Sequence, residues 1–153
     1  MGPIMKAFEI IGTAQVAKSA DQARSMGFLG PDDDISMNRD RLLADSKMRA
    51  LEMSQGYSPP NPHTFNLPGH TARIALEMAV SDLERSGNAT PHDVVVTSEL
   101  AKVLSGGEAD FTDSIGEEEI LAMERESIGR LGRLEKTIQR MEHMLQTGKP
   151  LRN

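Results

Sequence analysis

Apolar positions recur at helical spacing along most of this chain, and Gly, Pro, Ser, Thr and Asp punctuate them. Ile4, Ala7, Phe8 and Ile11 fall on one face of a first helix, which should bury that face. Ser19 and Gln22 have the spacing of a capping box, so Ala20 to Met26 makes two helical turns that Gly27 closes with a left-handed cap. Ala20 and Ala23 carry almost no side chain and let that helix lie close to its neighbour. Phe28-Leu29 then predicts a buried extended crossing, and Gly30-Pro31 a turn. Beyond the run Asp32-Asp33-Asp34, either Ser36 or Asn38 can cap a helix reaching about Gln55, with Gly56 at its end and Ala44, Met48 and Leu51 on one face. The acidic run suits the positive N-terminal end of that helix.

The segment Tyr57-Ser-Pro-Pro-Asn-Pro62 interrupts the helical pattern, because its prolines fix extended backbone and remove N–H donors. His63 to Leu67 predicts a short extended piece. Thr71 should cap a helix running to about Ser86, whose stripe Ala72, Leu76, Ala79 and Leu83 is widened by Ile74, Met78 and Val80, so burial on more than one side is expected. Thr90-Pro91-His92-Asp93 combines a hydroxyl cap, proline at the first helical position and a carboxylate three residues after the cap. That signal outweighs the β-branched run Val94-Val95-Val96 and predicts a helix from Pro91 to Leu104, closed by Ser105-Gly106-Gly107. Ser114 and Glu117 repeat the capping-box spacing and open a last helical region that ends at Gly148. Within it Ile128, Leu131, Leu134, Ile138, Met141 and Leu145 form an apolar seam. Gly129 and Gly132 each cost about 1 kcal/mol relative to alanine inside a helix, so a kink or a close helix crossing is expected there.

The expected fold is mainly α, about five to six helices with proline-rich breaks. Its divisions fall at residues 1–56, a Pro-rich linker over 57–69, and a helical region over 70–153. A chain of 153 residues can bury one modest core. With four Phe, one Tyr and no Trp, ten Met share the apolar load with Leu, Ile and Ala. The net charge of −6 argues against a nucleic-acid partner, whose phosphates need clustered Lys and Arg. The lack of Cys rules out disulfides and thiolate chemistry and fits a cytoplasmic chain. No apolar run approaches the ~20 residues of a membrane span, and no signal-peptide pattern opens the chain.

The residues offer little catalytic chemistry. His63, His70, His92 and His143 are far apart, and none makes a metal-ligand pair with another, so no metal is expected. Glu117-Glu118-Glu119 reads as a solvated helix start, where the dipole keeps carboxylates ionised. Ser105-Gly106-Gly107 follows a helix and reads as its cap, not as a phosphate loop. No GxGxxG dinucleotide fingerprint occurs. No catalytic residue is assigned.

Four strings carry a family resemblance: KAFEIIGTAQVAKSADQARSMGFLGPDDDISMNRDR near the start, then ISMNRDRLLADSK, ATPHDVVVTSELAKVLSGG and ERESIGRLGRLEKTIQRMEHMLQTGKPLRN. Together they cover nearly all of the chain in order. They resemble the crotonase-like (enoyl-CoA hydratase) half of the long bacterial bifunctional 3-hydroxyacyl-CoA dehydrogenases of fatty-acid β-oxidation, in the helical part that follows the βαβ core. The resemblance implies a C-terminal helical segment of a crotonase-like fold that helps close an acyl-CoA site and contacts neighbouring subunits. It implies no cofactor held by this chain itself, NAD and acyl-CoA belonging to the parent enzyme. It also points to Lys149 and Arg152, just past the last helix, as contacts for CoA phosphates. The partner would be the missing crotonase core or a second copy, because Ile4, Phe8, Ile11, Phe28 and the last seam would otherwise lack a surface to pack on. The rival reading is a free-standing helical protein–protein interaction or oligomerisation module, suggested by the Met-rich faces.

Overall fold

The computed structural model describes residues 2–153. It is mainly helical, 62% helix with little strand. Along the chain run α1 (Gly2–Gly12), α2 (Ala20–Met26), a 3-10 turn (Arg39–Arg41), α3 (Leu42–Ser54), β1 (Thr64–Phe65), α4 (Gly69–Arg85), α5 (Pro91–Ser105), β2 (Ile115–Gly116), α6 (Glu117–Leu131) and α7 (Glu135–Thr147). Two compact units result, residues 2–13 with 62–153, and Ala14–Asn61. The first helix thus belongs with the C-terminal helices.

In the first of these units α4 and α5 form the central pair, and α1 and α6 both pack on α5. A loop of a few residues joins α4 to α5, the connection expected of antiparallel neighbours. Phe8, Leu76, Val80 and Ala101 make the core, with Ile4, Val94, Leu100 and Leu104 packed against it. The face of α1 therefore has a partner inside the chain, contrary to the expectation that it would lack one. Ile10 joins Phe8 in burial while Ile11 is half exposed.

Helix α4 begins at Gly69 with Pro68 before it and no side-chain cap, so Thr71 lies inside the helix and does not start it. Only Gly69, Ala72, Leu76 and Val80 are buried. Ile74, Met78 and Leu83 face solvent, which corrects the expectation of burial on several sides. The physical reason is that α1 and α5 together cover a single stripe. Helix α5 starts as expected: the Asp93 N–H donates to Thr90 Oγ1 at 3.1 Å, and the Thr90 N–H donates to Asp93 Oδ2 at 2.8 Å. At its end Gly106 has φ +88°, and a Cβ there would come within 2.8 Å of Ile115 and 3.0 Å of Leu67. The cap thus doubles as the place where the ribbon β1–β2 closes on the helices.

That ribbon is antiparallel, with Thr64 opposite Gly116 and Phe65 opposite Ile115. An extended piece near Phe65 was expected; its partner lies fifty residues away. Ser114 does not cap α6. Gly116 occupies that position, and its N–H donates to Glu119 Oε2 at 2.8 Å. The last helical region breaks completely after Leu131, which gives seven α-helices among the described residues where five to six were expected. Gly132 caps the break, and Gly129 stays inside α6 with open space around it, so no close crossing forms there.

In the unit Ala14–Asn61, α2 has the expected ends: the Gln22 N–H donates to Ser19 Oγ at 3.1 Å, and Gly27 takes the left-handed conformation. Asn38 caps the 3-10 turn by accepting from the Asp40 N–H, and α3 follows. Two members of the acidic run, Asp33 and Asp34, are engaged by bonds within this unit. Asp33 accepts from the Gly30 N–H at 2.7 Å, Arg24 donates to the Asp33 carbonyl at 2.7 Å, and Asp34 pairs with Arg49 at 3.1 Å. No residue from 14 to 61 is buried. Phe28 is 58% exposed, which overturns the expected buried crossing, and Met48 and Leu51 of α3 are likewise exposed.

Candidate functional site

The densest long-range polar cluster joins the first turn of α5 to one face of α7. It grows from the capping box. Asp93, whose Oδ2 holds the Thr90 N–H, turns its other oxygen to Arg140, whose Nη1 donates at 2.7 Å. Arg140 Nη2 reaches Thr90 Oγ1 at 3.2 Å, and its Nε donates to Asn153 Oδ1 at 2.8 Å. Asn153 in turn donates to the Lys136 carbonyl and to Gln139, which folds the last residues back along α7. One turn before Arg140, Thr137 Oγ1 lies 2.9 Å from His92 Nε2. Thr137 and Arg140 stand three residues apart on one helix face, as do Thr90 and Asp93 around the cap, so two short local patterns interlock.

Electrostatics sharpen this arrangement. His92 is buried, and that burial, followed by the Arg140 and Lys136 charges, holds its imidazole below the ordinary 6.5; Asp93 acts in the opposite sense. Burial pushes the Asp93 carboxyl up, but the Thr90 N–H, the Arg140 guanidinium and the Thr90 hydroxyl together leave it below its ordinary value of 3.8. At neutral pH the cluster therefore contains an ionised Asp93–Arg140 pair beside an uncharged histidine.

Helix α7 shows an inverted pattern around this cluster. It buries none of its residues and docks through polar side chains, while Leu134, Ile138, Met141 and Leu145 all remain exposed. The last seam, which the sequence left without a packing surface of its own, is open in this chain. A second charged layer links α5 to α6: Arg130 pairs with Glu99 at 2.7 Å, and Lys102 with Glu126 at 3.5 Å.

Lys149 and Arg152 lie beyond the Gly148 cap of α7, both exposed, on the same returning segment that ends in Asn153. The Lys149 N–H donates to Thr147 Oγ1 at 3.2 Å. Neither side chain forms an ion pair among the described residues. The structure does not bring them into the Arg140 cluster. Glu117, Glu118 and Glu119 are exposed in the first turn of α6. Of the remaining histidines, His70 sits 3.8 Å from Glu108 and His143 in the last turn of α7. Among the described residues no group of three or more His, Cys, Asp or Glu is placed to hold a metal ion, and no helix is long and apolar enough to cross a membrane.

The sequence reading missed Arg140, Thr137 and Asn153. The one local signal for them was a threonine and an arginine three apart on the polar side of an amphipathic helix, which many surface helices share.

No family model matches the chain, and no solved structure matches it. Over its whole length it is 40% identical, across 154 positions, to a probable 3-hydroxyacyl-CoA dehydrogenase of Bacillus subtilis (strain 168). The chain spans 20% of that relative, so the likeness relates it to one fifth of a much longer dehydrogenase.

Proposed function

We propose that this chain is the helical, non-catalytic portion of the crotonase-like half of a fatty-acid β-oxidation enzyme, where it supports closure of an acyl-CoA site and contacts between subunits. The observation that carries this reading is the 40% identity along the entire chain to one fifth of a probable 3-hydroxyacyl-CoA dehydrogenase. The exposed apolar rows of α3 and α7 support it, because such faces suit a helical layer laid on another surface. In this reading NAD and the acyl thioester are held by other parts of the enzyme, and Lys149 and Arg152 reach CoA phosphates from the end of α7.

The test is a chimera in which this chain replaces the matched stretch of the Bacillus subtilis relative. Hydration of crotonyl-CoA and NAD reduction with a 3-hydroxyacyl-CoA should both survive in the chimera and be lost when the stretch is deleted. The isolated chain should show neither. Changing Lys149 and Arg152 to alanine in the chimera should raise KM for the acyl-CoA with little effect on kcat. Robust turnover by the repurified isolated chain would overturn the reading.

The open seam on α7 favours a second reading, a helical module that pairs with a second copy of itself. Because α1 is already covered by its own chain, such pairing would involve the last helices alone. Ile138→Asp, at a position 39% exposed, should then shift a dimer to monomer by light scattering and leave helix content intact. An inactive chimera together with a stable dimer would favour this module; a stable monomer at micromolar concentration would remove it.

A further inference from the structure

His92 is a titratable side chain, 4% exposed, set where a positive charge is poorly tolerated. It occupies the first turn of α5, so the helix dipole already presents its positive end there. From α7, the element packed against it, come Arg140 and Lys136, both cations. From its own turn comes the Asp93 carboxylate, and that group is already engaged by Arg140 and by Thr90. A proton added to the ring therefore puts a charge on a buried group that already faces two cations, beside a carboxylate that is taken.

The cost would fall on the attachment of α7. That helix has no buried residue, and it is not among the helix pairs in broad contact. What holds it to α5 is the polar cluster itself: Thr137 on His92, and Arg140 on Asp93 and Thr90. The core of α1, α4 and α5 uses other residues and does not depend on it. We propose that the α5–α7 junction is a proton-operated latch, in which protonation of His92 releases α7 from the first turn of α5 while the core stays folded.

The sign follows from the direction in which His92 is shifted. Its value in the latched state lies below the ordinary 6.5 that it regains on release. Well above pH 6.5 the ring is neutral in both states and the latch is indifferent to pH. Below 6.5 the released state takes up a proton that the latched state refuses, so the ratio of released to latched chains rises by up to about tenfold per pH unit. The rise ends once the pH passes below the latched value. Asp93, held low, stays ionised throughout this window and does not drive the change.

The chain has no cysteine, so a pair of spin labels can be placed at Val95→Cys on α5 and Gln146→Cys on α7 without other sites reacting. Expected is one distance population at pH 7.5 and a second, longer one that grows as the pH falls from 6.5 to 5. In His92→Gln, which cannot take up a proton, the second population should not grow. A pH-independent distance in the parent chain, or the same response in His92→Gln, would overturn the latch. NMR titration of the His92 ring in the unlabelled protein keeps the proposal testable if the variant fails to fold: titration at or above 6.5 overturns it, and titration below 6.5 with α7 resonances shifting in step upholds it.

Discussion

Leu76→Ala is expected to destabilise the chain by about 2–5 kcal/mol, the range for removing a fully buried leucine side chain and leaving a partly collapsed cavity. Leu76 is 0% exposed at the meeting point of α1, α4 and α5, where it joins Phe8, Val80 and Ala101. Urea unfolding followed by helical ellipticity should show a large fall in midpoint with little change in slope. Leu145→Ala is the control: at 87% exposed it should change stability by no more than about 0.5 kcal/mol. Equal effects at the two positions would mean that the core is not where α4 meets α1 and α5.

A second large effect is expected from Gly69→Ala. At φ +65° an alanine is strained by about 1–2 kcal/mol, and its Cβ would lie 2.1 Å from the Ala109 carbonyl oxygen. That oxygen is backbone and cannot rotate away, so the start of α4 and the loop after α5 must separate. Gly148→Ala isolates the strain alone, since Gly148 has φ +67° with nothing within 4 Å of the added carbon. The difference between the two variants in thermal or urea unfolding measures the steric conflict. Equal losses would show that the loop yields freely.

Most of the helices were legible in the residues, and the reason is the range of the interactions that encode them. The Ser19–Gln22 cap, the Thr90–Asp93 box and the left-handed glycines at 27, 106 and 148 are bonds or torsions within a few residues, so the local sequence is enough to specify them. The misreadings share the opposite property. Thr71 and Ser114 had acceptable cap chemistry, but Pro68-Gly69 started α4 earlier, and the pairing of Ile115 and Gly116 with β1 moved the start of α6. Burial misled for a similar reason: periodicity puts Leu83 and Met48 on apolar faces, and an apolar dipeptide marks Phe28-Leu29, but neither says what arrives to cover them.

The candidate site divides along the same line. Lys149 and Arg152 could be named from the end of the chain, and the structure leaves them exposed there. The junction of His92 with Thr137 and of Asp93 with Arg140 joins residues more than forty positions apart, which no local pattern links.

By itself, then, the sequence determined a mainly helical chain, the ends of most of its helices and its likeness to part of a dehydrogenase, because capping and torsional preferences act over a few residues. Only the tertiary structure decided that α1 closes its own core against α4 and α5, that α7 docks through polar groups with its apolar row turned outward, and that His92 is buried beside two cations. Those outcomes depend on which surfaces meet, and the free energy of a meeting belongs to both partners at once.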